Sequence, residues 1–351
     1  MMTNRHRSLY RTRKEVSLMF NRSGTPSFYD KNKQLIPNSI ATIETVLINN
    51  RKQSLLIRGQ DLNQPLLLCL HGGPGMAHIG FARHFQVELE KHFIVVNWDQ
   101  RGAGKSFSWR DFKEPLTIEQ FILDTHKLID YLLNKFQKKK LFLLGHSWGS
   151  IIGLSAAQQS PQSIEAYIGV GQIVHMKQNE TLLFEHLIRS AKKHRHDRAL
   201  ASLKKLGKPP FLDTKRLLIQ RKWLGIFGGA TQNGTFFSFI RKGFFSSEYT
   251  LIDWIKFFSG SIKSGELWKE MLTIDFFSQI PSVSFPVYFC SGRYDYQTPY
   301  ALVQQYCNVL KAPIKKMIWF PNSAHSPHFE EHERFTETLL EIKQEHFLLH
   351  P

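Results

Sequence analysis

Ser147 stands in Gly145-His146-Ser147-Trp148-Gly149, directly after four apolar residues, Leu141-Phe142-Leu143-Leu144. A small-residue helical stretch, Ile151 to Ala157, follows it. Strand, sharp turn and helix in that order hold a serine in a strained backbone conformation, with its hydroxyl exposed above a sheet edge. Glycines at 145 and 149 fit a crossing too tight for side chains. A serine hydroxyl becomes a nucleophile only when a base removes its proton and a third group orients that base. Serines on such turns take an acid and then a histidine from the ends of later strands. The chain offers Asp295 in Gly292-Arg293-Tyr294-Asp295 after an apolar run, and His325 in Asn322-Ser323-Ala324-His325 after another. Each alone could be an ordinary turn or surface residue. Together, in the required order, they predict that Ser147 attacks a carbonyl carbon, His325 takes its proton, and Asp295 fixes the imidazole. The oxyanion then needs backbone N–H donors. Trp148, directly after the serine, supplies one, and Gly73 in His71-Gly72-Gly73-Pro74-Gly75 supplies the other, with Gly72 the nearby alternative that also lets backbone approach substrate.

The elements that must position these residues follow from the apolar pattern. Ile43–Ile48 and Ser54–Gly59 alternate like two antiparallel strands. Pro65–Leu70, Phe93–Trp98, Leu141–Leu144, Ala166–Gln172, Pro286–Gly292 and Lys316–Phe320 are continuous apolar runs, the pattern of strands buried on both faces of a parallel sheet. A helix is predicted over Ile118–Leu133, with Thr117 as its N-cap and Gln120 three residues on. A last helix spans about 329 to 349. Alternating strands and helices predict an α/β fold with a mostly parallel, doubly wound sheet. The alternation stops over residues 173–278, which are helical in pattern, aromatic and basic. That stretch is expected to be a helical cap inserted over the carboxyl ends of the strands. The expected division is therefore a basic, loosely ordered leader at 1–37, a core at 38–172 and 279–351, and a cap at 173–278.

The chain has 351 residues, enough for one large domain with an insertion. Lys and Arg total 46 against 29 Asp and Glu, a net charge of +17. The positive residues are spread along the chain, and no nucleic-acid module is present. The charge is therefore read as an evenly solvated surface, with no nucleic-acid partner expected. Cys69, Cys290 and Cys307 lack metal or redox spacing and are expected to be reduced and buried, in keeping with a cytoplasmic location. No apolar run has membrane-helix length, so no integral membrane segment is expected.

The motifs His71-Gly72-Gly73-Pro74-Gly75, Asp99-Gln100-Arg101-Gly102, Ser147-Trp148-Gly149-Ser150, Gly292-Arg293-Tyr294-Asp295 and Ala324-His325 closely resemble the α/β-hydrolase superfamily, and within it the prolyl aminopeptidase (proline iminopeptidase) branch. The resemblance covers about residues 40 to 345. It implies an α/β-hydrolase fold, serine peptidase activity releasing N-terminal residues from short peptides, and no cofactor. It carries Ser147, Asp295 and His325 over as the triad and Gly73 and Trp148 as oxyanion donors. Asp99 and Arg101 are expected to hold the loop beside the site through buried hydrogen bonds. An aminopeptidase must also bind a free ammonium group, usually through a cap carboxylate. Glu180 is the substrate-binding candidate, with Glu185 and Glu248 beside it, although the cap holds twice as many Lys and Arg as Asp and Glu.

Other patterns compete. His328-Phe329-Glu330-Glu331-His332 matches a zinc-protease signature, but a helix start explains it, and no metal is expected. His194-Arg195-His196 reads as a solvated basic helix face. Asp99 at a strand end could serve as a nucleophile in other hydrolases, but the nucleophile position itself holds a serine. The alternatives to the aminopeptidase are a carboxylesterase or amidase acting on a small apolar acyl substrate, and a non-enzymatic receptor that binds a small molecule in a hydrolase pocket.

Overall fold

The computed structural model describes residues 23–232 and 236–349. An eight-stranded sheet is its frame: β1 (Ile40–Ile48), β2 (Arg51–Gly59), β3 (Leu66–Leu70), β4 (Ile94–Asp99), β5 (Leu141–His146), β6 (Ile164–Val170), β7 (Val287–Gly292) and β8 (Lys315–Phe320). The spatial order is β1-β2-β4-β3-β5-β6-β7-β8. β1 and β2 pair antiparallel, β2 pairs antiparallel with β4, and every later pairing is parallel. The sheet is thus an α/β-hydrolase sheet, as expected, opened by an antiparallel hairpin.

Burial on both faces explains the unbroken apolar runs. Successive strand residues point to opposite sides. Leu66, Leu68 and Leu70 pack with Phe121, Leu128 and Ile151 on one face. Leu67 and Cys69 pack with Phe142, Phe335 and Leu339 on the other. Phe142 belongs to β5, and the helices that supply the other partners are α1 (Ile118–Phe136), α2 (Trp148–Gln159) and, on the far face, the final helix (His332–Leu349). α1 starts where the sequence places it. Thr117 Oγ1 accepts from Gln120 N, and Gln120 Oε1 accepts from Thr117 N, both at 3.3 Å.

Between β6 and β7 the chain forms α3 (Met176–Lys193), α4 (Asp197–Leu206), α5 (Thr214–Ile226), α6 (Phe236–Phe244) and α7 (Leu251–Lys263). After β7 come the longer helices α8 (Tyr300–Val309) and the final one, α9, and single helical turns lie at Arg83–Gln86, Trp268–Met271, Phe276–Gln279 and Pro327–Glu330. α3, α4 and α5 enclose their own apolar cluster of Leu183, Leu187, Leu203, Phe211, Trp223 and Leu224. α7 lies against the loops at the carboxyl ends of β3 and β4. Ser261 Oγ donates to Gly75 O at 3.0 Å, and a Cβ on Gly260 would lie 2.3 Å from Gly102 O.

Of the basic leader expected at 1–37, residues 1–22 lie outside the described residues. Residues 23–37 make specific contacts. Gly24 N donates to Ser247 O at 2.9 Å, Arg58 Nη1 donates to Pro26 O at 2.6 Å, and the Arg58 guanidinium sits 4.5 Å from the centroid of the buried Phe28 ring. Among the described residues no helix is long and apolar enough to cross a membrane.

Candidate active site

Ser147 joins β5 to α2 with φ +53° and ψ −117°. A non-glycine residue pays a strain of about 1–3 kcal/mol for such a conformation, so the surroundings must enforce it. They do so by crowding. A Cβ on Gly149 would lie 2.2 Å from Leu70 O, and one on Gly145 would lie 2.6 Å from Gly149 O. Ser147 N donates to Val170 O at 2.9 Å, which ties the turn to the end of β6.

Asp295 follows β7 and His325 follows β8. The structure brings them together, with His325 Nδ1 3.0 Å from Asp295 Oδ2. Asp295 is fully buried and His325 nearly so. A carboxylate can only accept, so Nδ1 carries the proton of this bond and Nε2 is the basic nitrogen. Nε2 has no hydrogen-bond partner among the described residues. The ring lies beside the Ser147 turn. Gly171, next to the Val170 carbonyl that anchors Ser147, leaves space that a Cβ would fill at 2.8 Å from the His325 ring. The ring centroids of His146 and His325 are 5.0 Å apart.

The three glycine-bearing motifs interlock. Trp148 Nε1 donates to Gln100 Oε1 at 2.9 Å, Gln100 Nε2 donates to His71 O at 3.0 Å, and Gln100 N donates to His71 Nε2 at 3.1 Å. This chain fixes the loop that carries Gly72 and Gly73 against the residue after Ser147. Gly73 has φ +119°, a conformation that favours glycine. Gly72 sits against the Ser147 turn, since a Cβ there would lie 3.1 Å from Ser147 Cβ. Trp148 is the first residue of α2, and N–H groups in a first helical turn lack intrahelical partners.

The family model described as the alpha/beta hydrolase fold matches residues 65–332. The chain belongs to the α/β-hydrolase family. The hydrolase is 38% identical over 312 residues to the Bacillus subtilis (strain 168) protein named "Probable aminopeptidase YbaC", covering 88% of this chain and 98% of that one. It is 24% identical over 295 residues to the proline iminopeptidase of Saccharolobus solfataricus, covering 82% and 86%. The solved structure of a proline iminopeptidase-related protein from Thermus thermophilus superposes with a TM-score of 0.59 at 20% identity, over 86% of this chain and 96% of that one. These relatives place the hydrolase in the prolyl aminopeptidase-like branch.

Asp99 and Arg101 hold the hydrolase's β4 loop, but not through each other. Asp99 accepts from Ile79 N, Lys105 N and Tyr249 Oη, and burial raises its carboxyl to about 7. Arg101 makes two 2.8 Å bonds to Asp124 on α1. The three candidate acids of the cap all face arginines. Glu180, fully buried on α3, accepts from Arg221 Nη2 at 2.6 Å, and its Oε2 has no partner among the described residues. Glu248 pairs with Arg83 at 2.5 Å, and the exposed Glu185 pairs with Arg189 at 3.5 Å. A cavity of about 430 Å³ lined by His186, Arg189, His194, Phe227, Tyr294 and Tyr296 opens where the cap meets the Asp295 loop.

Thr298 escaped the sequence reading. Its Oγ1 donates to Asp295 Oδ2 at 2.7 Å and lies 3.2 Å from His325 Nδ1, and its N–H donates to Asp295 Oδ1 at 2.9 Å. Its position three residues after the acid, an Asx-type turn spacing, is the one available signal. His78 was also missed, and no spacing announces it.

Proposed function

We propose that the protein is a serine hydrolase in which Ser147 is the nucleophile, His325 the general base and Asp295 the group that orients it. The observation that supports this reading is the 3.0 Å pairing of His325 Nδ1 with Asp295 Oδ2, with Nε2 unpartnered among the described residues beside a serine held at φ +53°. Ser147 Oγ adds to a carbonyl carbon as Nε2 takes its proton. The backbone N–H groups of Trp148 and Gly73 receive the developing oxyanion. Nε2 then protonates the leaving group, and water repeats the sequence on the acyl-enzyme. The substrate class is short peptides with a free amino terminus, by similarity to relatives named as aminopeptidases. Glu180 Oε2 is the proposed ammonium contact. The three cysteines are all free, in keeping with action in the cytoplasm.

One observation favours a second reading. Glu180, Glu185 and Glu248 are each paired with an arginine, and an acid already neutralised attracts an ammonium group weakly. A carboxylesterase or amidase needs no such acid.

The test is hydrolysis of prolyl-, alanyl- and leucyl-naphthylamides beside a p-nitrophenyl acyl ester, together with fluorophosphonate labelling. The reading expects labelling and turnover of the aminoacyl amides, both abolished in Ser147→Ala. Labelling that persists in the variant would remove Ser147 from its role. Ester turnover with no aminoacyl amide turnover would keep the nucleophile and replace the aminopeptidase with the esterase.

A further inference from the structure

Behind the nucleophile turn lies a cluster of histidines that the proposed reaction does not use. His78 comes from the loop after β3, His146 is the last residue of β5, and His328 lies in the helical turn Pro327–Glu330 before α9. All three are buried, and each offers one ring nitrogen such that the three nitrogens lie within 4.8 Å of one another. The ring centroids are 4.4 Å apart for His146 and His328, 5.8 Å for His78 and His146, and 5.9 Å for His78 and His328. We propose that His78, His146 and His328 form a binding site for one borderline divalent transition metal ion, with Zn²⁺ as the reference ion.

Hydrogen bonding is the first argument. A neutral imidazole carries one donor and one acceptor, and a buried one left unpartnered costs about 1–3 kcal/mol for each polar group. Neither His328 nitrogen has a partner among the described residues, nor does His146 Nδ1. Yet His328 and His146 are each more than nine-tenths buried. His146 Nε2 lies 3.2 Å from His325 O. A carbonyl can only accept, so that bond puts the proton on Nε2 and leaves Nδ1 as a bare lone pair. Metal-bound histidines commonly use this arrangement, in which the second nitrogen donates to a carbonyl that fixes tautomer and ring orientation. There is also room at Nδ1, because residue 72 is glycine. A Cβ there would lie 2.9 Å from this nitrogen.

The surroundings supply the second argument. All three rings are buried, and an imidazole ligates as the neutral ring. Imidazole donors suit Zn²⁺ and its neighbours rather than Ca²⁺ or Mg²⁺, which require oxygen. Zinc–nitrogen bonds of about 2.0–2.1 Å place tetrahedral ligands roughly 3.3 Å apart, so the rings must close by about 1–1.5 Å on loading. Three histidines leave a fourth position open for water.

The zinc-protease spacing at 328–332 is not the ligand set. Glu331 accepts from Ser323 Oγ and Asn322 N, and His332 packs on the Phe85 ring. Only His328 of that motif joins the cluster. An ion on His146 would brace the ring that holds the His325 carbonyl, and so the loop that carries the proposed base. This inference stands apart from the substrate question, since it needs no turnover to be tested.

The experiment uses tag-free full-length protein stripped by a chelator and titrated with Co²⁺, then Zn²⁺. The site predicts one equivalent of Co²⁺ with the intense visible bands of a low-coordinate ion, displaced by one equivalent of Zn²⁺. It also predicts a melting temperature that rises with free Zn²⁺, because an ion bound only by the native state stabilises it by mass action. His328→Gln and His78→Gln should lose both signals while still melting cooperatively, and His332→Gln should keep them. Failure to bind one equivalent, the outcome if water alone occupies the cluster, overturns the proposal. So do bands that persist in both variants. Should neither variant fold, X-ray absorption on the zinc-loaded wild type decides the matter: three imidazole ligands support the site, and fewer than three overturn it.

Discussion

Ser147, His325 and Asp295 are separated by 30 to 178 residues of chain, and the contacts that hold them are made by residues with no chemistry of their own. Thr298 is the clearest case. Its hydroxyl donates to the Asp295 oxygen that also receives His325 Nδ1, so it fixes the carboxylate's rotation. Thr298→Val should slow fluorophosphonate labelling of Ser147 about tenfold, the effect of one hydrogen bond worth about 1.4 kcal/mol. Thr298→Ser should restore the rate, and melting temperatures should separate misorientation from unfolding. If Thr298→Val labels at the wild-type rate, Thr298 has no positioning role. Gly292 carries the second argument at this scale. A Cβ there would lie 2.0 Å from Ala324 O and 2.3 Å from Ser323 O, both backbone atoms of the loop that leads to His325. Gly292→Ala should therefore displace that loop and cost about 1–3 kcal/mol of stability by overpacking, read from urea unfolding, with labelling slowed in the surviving folded protein. Ser147, Asp295 and His325, the residues of the proposed triad, could be picked out because each sits in a short string at the end of an apolar run. Thr298 and His78 were not, because a threonine in a loop and a histidine in a loop are ordinary until the fold sets partners against them.

At the scale of elements, the strands were readable because burial on both faces leaves continuous apolar runs, and α1 was readable from its period and its capping box. The order in which β3 and β4 pair was beyond a linear pattern, since Leu66 and Ile94 are equally apolar whichever neighbour they take. α8 was passed over although Leu302, Val303, Tyr306 and Cys307 recur at helical spacing on its buried face, because the helix is only three turns long and has no side-chain cap at its start. The partner of Arg101 was also unreadable. It is Asp124, on the buried face of α1, which additionally accepts from Asn49 Nδ2 and Gln53 Nε2 at 2.8 and 2.7 Å. One fully buried carboxylate thus ties β2, the β1–β2 turn, the β4 loop and α1 together. Removing it strands a largely buried guanidinium, and breaking such a pair from one side costs about 3–5 kcal/mol. Asp124→Ala should lower the unfolding free energy by that amount in urea titrations. Arg101→Met combined with Asp124→Leu should cost less than the single change, because it leaves no lone charge. A double variant as unstable as Asp124→Ala would show that the bonds to Asn49 and Gln53, rather than the ion pair, carry the effect.

At the scale of the whole molecule, the cap is fastened to the sheet by polar bonds as well as apolar packing. Tyr249 Oη donates to Asp99, Lys105 Nζ reaches Asp253 at 2.6 Å, and Glu266 and Glu270 accept from Leu116 N and Ile118 N at the entrance to α1. Asp99 is the point where this fastening becomes sensitive to pH. Desolvation outweighs its three donors and the nearby Lys105, so the carboxyl is raised to about 7 in the folded protein, against about 3.9 in an unfolded chain. Between those values the folded state holds a proton that the unfolded state has released. Stability then falls as pH rises, by up to about 1.4 kcal/mol per unit for this single group, and the loss is complete once pH passes about 7. Glu90, also raised to about 7 by burial, acts in the same direction and would mask Asp99 in a measurement on the wild type alone. The difference between wild type and Asp99→Asn removes it, because Glu90 and the buried histidines are common to both. Urea unfolding of the two proteins from pH 5 to 8 should show the wild type losing ground steadily up to about pH 7 and the two curves running parallel above it. A difference independent of pH would mean that the Tyr249, Lys105 and Ile79 donors keep Asp99 ionised throughout, and that the clasp between cap and sheet is a charged one.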